Sequence, residues 1–309
     1  MDWVQEFKER IQDFKGEIAF DVPLSKIAYY RIGGPARVLV TPRDFLDLEV
    51  LHQILNSTPI PFFVTGWGSN LLFQDEGFDG VIIRMKHLFT GVEEIAPGVL
   101  RVGASLGANA LLKIASEKGY GGLSRFTGIP GSVGGMIAMN AGTHLGEMSD
   151  VILETAWIEL GQNPGPLQIQ TRVHSSGDFS YRRNHFLKAG DLILHALIRV
   201  ESADPAQVKA EIESLYQRRK STQPVEYPSC GSVFMNPKAH GLHAWQVIDQ
   251  LGLRGHRIGN AQISEKHPNF IVNLGGATAS DVRALIALIK TQAMKRLSIE
   301  LHEEVRVFP

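Results

Sequence analysis

A single cysteine, Cys230, stands among the 309 residues. One thiol cannot close an internal disulfide, so the chain is not a cystine-stapled secreted scaffold, and its composition suits a reducing, cytoplasmic compartment. Long hydrophobic runs are missing as well; no stretch has the length to cross a bilayer. The opening MDWVQEFKER mixes acids and bases where a secretory leader would carry an apolar core. Neither sign of charge dominates. Lys and Arg number 31 against 32 Asp and Glu, for a formal net charge of −1, which argues against nucleic acid or a membrane surface as a partner. The densest basic run, Arg218-Arg219-Lys220, falls at the end of an expected helix, where cations suit the helix dipole. The eleven histidines make no metal site: His240 and His243 are close in sequence, but no Cys or acidic partner joins them at ligand spacing. Cys230 has no base beside it in sequence and reads as a quiet small residue. The glycine-rich segments fit neither GxGxxG nor GxxxxGK[ST], which excludes a Rossmann fingerprint and a P-loop.

What is present is an apolar fraction of 44%, enough for two or three modest cores, and one unusual segment. Residues 128–142 read GIPGSVGGMIAMNAG. The glycines frame the apolar run Met136 to Met139, whereas a flexible linker would be polar throughout. Glycine lets main-chain N–H groups approach a ligand without a Cβ in the way, and successive N–H groups form anion-binding concavities. A large phosphate-bearing cofactor is one natural occupant; a tight turn feeding a closely packed helix is the other reading, and composition leaves both open. Three further clusters carry chemistry. Tyr30-Arg31-Ile32-Gly33-Gly34 sets a cation beside bare backbone, suited to phosphate or to an ordinary turn. Gly66-Trp67-Gly68-Ser69-Asn70 follows an expected strand and supplies N–H, hydroxyl and amide donors together. Phe179-Ser180-Tyr181-Arg182-Arg183 offers two arginines for an anion clamp or for surface pairing. Ser232, between Gly231 and Val233, is not in a Gly-X-Ser-X-Gly nucleophile elbow and reads locally as a capped turn or a satisfied hydroxyl.

Periodicity places an N-terminal amphipathic helix on Trp3, Phe7, Ile11 and Phe14, a helix over 45–55 and another over 106–118 stopped by glycines. A helix begins at Ser202-Ala203-Asp204-Pro205, with Val208, Ile212 and Leu215 on one face and Thr222-Gln223-Pro224 at its end. A last helix spans 279–297 with Val282, Leu285, Ile286 and Ile289 inward. Strands are expected over 37–40, 60–64, 81–84, 99–102, 151–159, 192–200 and through Val305 and Val307, with the main domain boundary near residue 201.

Taken in order from about residue 20 to the C-terminus, the motifs RIGGPA at 31–36, GWGSN at 66–70, residues 128–142, Tyr181-Arg182, GSVF at 231–234, ISEKHPNF at 263–270 and Glu304-Val305-Arg306 resemble the UDP-N-acetylenolpyruvoylglucosamine reductase (MurB) family. The resemblance implies an α+β chain with an FAD-binding fold of the vanillyl-alcohol-oxidase (PCMH) type in two subdomains plus a C-terminal α/β substrate-binding domain. The implied bounds are 1–20 for an N-terminal helix, 21–90 and 91–201 for the two FAD subdomains and 202–309 for the substrate domain. It implies non-covalent FAD, NADPH as reductant, a UDP-sugar enolpyruvyl ether as substrate and a monomer. Carried over position by position, the cofactor residues are Arg31, Gly33, Gly66, Gly68, Ser69, Asn70, Gly128, Ile129, Pro130, Gly131, Ser132, Gly134, Gly135, Asn140, Ala141 and Gly142. Substrate contacts fall on Tyr181, Arg182, Asn236 and Asn269, and catalysis on Arg182, Ser232 and Glu304. In the implied reaction a hydride passes from flavin N5 to C3 of the enolpyruvyl group and a proton from Ser232 to C2. Arg182 holds the carboxylate, and Glu304, protonated or bridged by water, supports the enolate, which calls for a raised pKa.

The compact interval between Arg182 and Ser232 resembles the shorter type of the family, without an added substrate-closing loop. Met235 departs from the family's usual lysine, His243-Ala244-Trp245-Gln246 from its usual small residues, and Tyr29-Tyr30 from its usual threonine and phenylalanine. Another non-covalent FAD oxidoreductase of the same fold, or a catalytically idle flavin or nucleotide-sugar binder, are the readings that compete with this one.

Overall fold

The computed structural model describes residues 2–308, which pack as two compact units. The first takes residues 2–20, 37–67 and 79–217; the second takes 21–36, 68–78 and 218–308.

In the first unit, α1 (Trp3–Arg10) starts at Asp2, whose carboxylate accepts the Val4 N–H, satisfying one of the helix's orphan donors. The helix ends earlier than its apolar period suggests, yet Phe7, Ile11 and Phe14 all bury in one core with α2 (Phe45–Ser57), Val38, Val40, Val81 and Ile83. The sheet beneath runs in the order Glu17–Pro23, Pro35–Thr41, Phe78–Arg84, Phe62–Thr65, and its last two strands are parallel. A second core lies on a five-stranded antiparallel sheet ordered Ile169–Val173, Ile152–Glu159, Asp191–Arg199, Val99–Gly103, Val92–Ala96. It receives α3 (Ala108–Lys118), α4 (Val133–Ala138) and, through Val208 and Ile212, the first half of α5 (Pro205–Thr222). Helix α3 stops where Gly119 turns to φ +73°, a left-handed cap that glycine adopts without a Cβ clash.

The contiguous bounds drawn from the sequence differ from this packing. Residues 202–217 pack with the first unit, while 21–36 and 68–78 pack with the second. The reason for α5 is its buried Val208, which belongs to the core of the five-stranded sheet.

The second unit sets α6 (Ala244–Gln250) and α7 (Ala279–Leu297) in one core with the three-stranded antiparallel sheet Arg257–Ile258, Ala261–Ile263, Ile271–Asn273. Val282, Leu285, Ile286 and Ile289 face inward as the period predicts. The terminal strand Arg306–Phe308 pairs in parallel with Leu71–Phe73.

Helix α7 opens on a capping box, Thr278 with Asp281, and Asp75 supplements it by accepting the N–H groups of Ala279 (2.7 Å) and Ser280 (2.9 Å) and the Ser280 hydroxyl (2.7 Å). Burial alone would raise the Asp75 carboxyl. The Ser280 hydroxyl, the two N–H groups and the charge of Arg283 outweigh it and hold the group below its ordinary value. A carboxyl depressed in the folded state contributes stability that is present above its unfolded pKa and is lost as pH falls through the folded one. Asp75→Ala is therefore expected to lower Tm at neutral pH, with the gap to the parent closing as thermal scans are run toward and below about pH 4. A gap of constant size across that range would assign the loss to packing.

Candidate functional site

Within the first unit the turn after strand Phe62–Thr65 meets two loops at close range. A Cβ on Gly66 would lie 2.5 Å from Ser132 Oγ, and one on Gly107 would lie 2.6 Å from the Trp67 ring. Gly107 and Ser132 form an isolated antiparallel bridge. Bare backbone is thus required where residues 66–67, 105–108 and 131–133 converge, and Trp67 lies there 40% exposed.

The packing of the glycine segment follows the tight-turn reading of its sequence. It does feed a closely packed helix: Ser132 caps α4 by accepting the Gly135 N–H at 3.3 Å, and the N–H groups of Val133 and Gly134 donate to Leu106 O (2.9 Å) and Ala104 O (2.7 Å). A Cβ on Gly134 would sit 3.1 Å from Ala104 Cβ. The N–H groups of Gly134 and Gly135 are thus engaged within the protein, and Gly134 also serves close packing. Ile129 N–H likewise donates to Phe126 O. The N–H groups of Gly128, Gly131 and Ser132 meet no protein acceptor among the described residues, and these main-chain donors are open to a ligand. Pro130 has no N–H to give.

The far end of the segment meets the expected arginine. Phe179–Ser180 and Arg183–Asn184 form a two-residue hairpin whose turn is Tyr181-Arg182, with Arg182 at φ +60°. That conformation costs an ordinary side chain about 1–2 kcal/mol, so the surroundings must hold it. The guanidinium lies 4.9 Å from the Tyr181 ring centre. Its Nη2 donates to Gly142 O at 3.0 Å and its Nη1 to Asn140 O at 3.5 Å. Asn140, buried at φ +41°, donates through Nδ2 to Ser180 O (3.0 Å) and Glu147 (2.9 Å), and accepts the Ser149 N–H at 2.9 Å. Ala141 closes the segment by donating to Met136 O and accepting from Met148 N–H. Sequence reasoning missed Glu147; the one signal for it was an acid shortly after the glycine segment that an arginine could reach.

In the second unit three expected residues converge. Glu304 N–H donates to Val233 O at 2.7 Å, Met235 N–H to His302 O at 2.9 Å, and Phe234 bridges Glu303. The backbone beside Ser232 is therefore laid against the backbone of Glu304. Asn70 joins them: its Nδ2 donates to Glu304 O at 3.0 Å and its own carbonyl accepts the Arg306 N–H at 3.0 Å. Gly68 and Ser69 precede it, with Gly68 packed over Ala28. Asn236 accepts the Ala244 N–H at 3.0 Å, which fixes the start of α6. Arg31, at φ +57°, is exposed, and Gly33 packs on Phe73. Asn273 spans this bend by donating to Tyr30 O (3.1 Å) and Arg31 O (3.4 Å), while the buried Tyr30 hydroxyl donates to Ile271 O at 2.7 Å.

Asn269 is buried and engaged on a neighbouring segment. It is 4% exposed, and both ends of its amide are taken by Phe234: Oδ1 accepts that residue's N–H at 3.0 Å and Nδ2 donates to its carbonyl at 2.9 Å. The side chain fixes the segment that carries Ser232, with one of its two amide hydrogens committed to that role. Cys230, two residues before Ser232, is buried with its thiol donating to Leu71 O, and burial pushes that thiol well above its ordinary pKa. It is inert as a nucleophile at neutral pH.

Residues 36–158, which include Gly66 and the glycine segment, match the family described as FAD binding domain. The convergence of bare glycine backbone with the unengaged N–H groups of Gly131 and Ser132 fits the phosphates of such a cofactor. The fold and these loops define a flavoprotein of the FAD-binding-domain class. Residues 223–308 match the family described as UDP-N-acetylenolpyruvoylglucosamine reductase, C-terminal domain. A UDP-N-acetylenolpyruvoylglucosamine reductase of Geobacter metallireducens is 39% identical over 96% of this chain and 95% of its own, and one of Clostridium perfringens is 37% identical over 99% of each. The crystal structure of the reductase from Thermus caldophilus superposes with a TM-score of 0.79 at 32% identity, covering 96% of this chain and all of that one. The chain belongs to the UDP-N-acetylenolpyruvoylglucosamine reductase family.

Proposed function

We propose that this chain reduces the enolpyruvyl group of UDP-N-acetylglucosamine enolpyruvate to give UDP-N-acetylmuramate for peptidoglycan synthesis, with FAD as cofactor and NADPH as reductant. The observation that carries the reading is the pairing of the Ser232 segment with Glu304, in a chain whose full length matches the reductases. Bound FAD would supply the hydride, taken from NADPH and delivered to C3 of the enolpyruvyl group.

The chain's own residues manage the charge and the proton. Addition of hydride at C3 leaves an enolate of the carboxylate, and C2 must be protonated. Ser232 is the donor: a hydroxyl is protonated at pH 7, and the carbanion-like enolate is basic enough to take its proton. Arg182 holds the substrate carboxylate and opposes the charge that builds on it, with a guanidinium already braced by Gly142 and Asn140. Glu304, its backbone fixed by Val233 and Asn70, supports the enolate oxygen through a proton or a water. We assign Arg31, Gly33, Gly66, Gly68, Ser69, Asn70, Gly128, Ile129, Pro130, Gly131, Ser132, Gly134, Gly135, Asn140, Ala141 and Gly142 to the cofactor. Tyr181, Asn236 and Asn269 contact substrate. Residues 21–90 and 91–201 serve FAD, and 202–309 serve the substrate. No helix among the described residues is long and apolar enough to cross a membrane, and we place the enzyme in the cytoplasm as a monomer.

Anaerobic visible spectroscopy of the purified protein tests this. The flavin absorbance is expected to bleach with NADPH and to return when the enolpyruvyl substrate is added. Bleaching without return would mean another electron acceptor, and a protein that cannot be loaded with FAD would end the proposal.

A further inference from the structure

We propose that Glu147 is the positioning residue for Arg182, holding the guanidinium in a fixed plane and moderating its charge; this rests on the reading that Arg182 binds the substrate carboxylate. Glu147 Oε1 lies 3.4 Å from Arg182 Nη1, and the two side chains are 27% and 15% exposed. An exposed ion pair at this distance would be a weak, mobile contact. This one is fixed at both ends. The other carboxylate oxygen accepts Asn140 Nδ2 at 2.9 Å, and the Glu147 N–H donates to Asp150 Oδ2 at 2.9 Å in a capping box.

The same Asn140 amide also donates to Ser180 O, two residues before Arg182, and the Asn140 carbonyl accepts from Arg182 itself. Asn140, Glu147 and the Ser180–Arg182 turn therefore form a closed hydrogen-bonded ring, with two of its members in left-handed backbone conformations. Such strain persists only where several contacts over-determine it. Its product is an arginine whose orientation is set before any substrate arrives, which is what pre-organised stabilisation of a developing anion requires. A carboxylate beside that arginine has a second consequence. It competes with the substrate's own carboxylate for the guanidinium, so ground-state binding is weakened while orientation is kept.

These two effects make opposite predictions for binding and rate in Glu147→Gln, which keeps volume and an oxygen able to accept from Asn140 but removes the charge. In the FAD-loaded enzyme, anaerobic stopped-flow is expected to show reduction by NADPH unchanged within about twofold. Reoxidation by the enolpyruvyl substrate should slow about 10–100-fold, as for small misplacements of a reacting group. The substrate Kd from flavin titration should be unchanged or lower. The rate loss should largely vanish when Glu147→Gln is introduced into Arg182→Lys, because the two residues act as a unit.

An oxidative half-reaction within twofold of the parent would overturn the proposal. So would an equal loss in the Arg182→Lys background, or parallel losses of FAD affinity, Tm and both half-reactions. If Arg182→Lys alone reoxidises at the full rate, the role assigned to Arg182 has failed. If Arg182→Lys is slow and Glu147→Gln is not, only the positioning has failed. Should Glu147→Gln not fold, Glu147→Asp decides in its place: it keeps the charge one methylene short of the guanidinium, and the same split between slowed reoxidation and intact reduction is required of it.

Discussion

Replacing Ser232 by alanine is expected to leave reduction of the flavin by NADPH at its full rate and to slow reoxidation by the enolpyruvyl substrate about 10²- to 10⁴-fold, the usual contribution of a positioned general acid. The asymmetry follows from the chemistry, because only the second half of the cycle needs a proton at carbon. Ser232 follows Gly231, at φ +74°, and precedes Val233, whose N–H donates to Asn269 O and whose carbonyl accepts from Glu304. The hydroxyl is thus carried on main chain pinned from two sides, and alanine removes the hydroxyl without disturbing that frame. Ser232→Cys restores a proton donor at the same position, and a partial return of the oxidative rate would tie the loss to the proton. Equal slowing of both half-reactions in Ser232→Ala would remove Ser232 from the chemistry and return it to the capped-turn role its local sequence also allows.

Much of the fold is legible in the chain because the long elements carry their own periodicity. The inward Val282, Leu285, Ile286 and Ile289 of α7, the glycine stop of α3 and the proline start of α5 are local signals, and the structure keeps them. Among the strands that escape notice, Glu17–Pro23, Val92–Ala96 and Ile169–Val173 each lie at the edge of a sheet with no fully buried residue. Their alternation is blunted by exposure, and only the neighbouring strand makes them strands. Helix α4 has six residues, two of them glycine, too short and too poor in propensity to announce itself. It exists because Ser132 caps it and the carbonyls of Ala104 and Leu106 catch its first N–H groups.

The candidate site divides in the same way. Its residue types can be read from motifs, but the contacts of Arg182 with Glu147 and of Ser232's neighbour with Glu304 join segments far apart in the chain, and no local pattern encodes them. The sequence also cannot say which polar groups are already consumed. Gly134, Gly135 and Asn269 each already have a partner within the protein, and no motif reveals it.

Asn269 gives the largest stability effect we expect. Asn269→Leu keeps approximate volume but strips partners from both the N–H and the carbonyl of Phe234, itself among the most deeply buried side chains. A buried main-chain group left unsatisfied costs about 1–3 kcal/mol, so the pair should cost about 2–6 kcal/mol, visible as a large fall in the denaturant midpoint and in Tm. Asn269→Asp separates the two bonds. An ionised carboxylate still accepts from the Phe234 N–H but faces the Phe234 carbonyl without a proton to donate. Burial and that carbonyl would raise its folded pKa, so the deficit should be greatest at neutral pH and should shrink as the pH is lowered and the group protonates. A clamp acting only through structure also predicts that whatever Asn269→Leu enzyme remains folded at low temperature keeps its substrate Kd. If Asn269→Leu instead holds its Tm and loses substrate affinity, the amide acts chiefly as a substrate ligand and not as a clamp on Phe234.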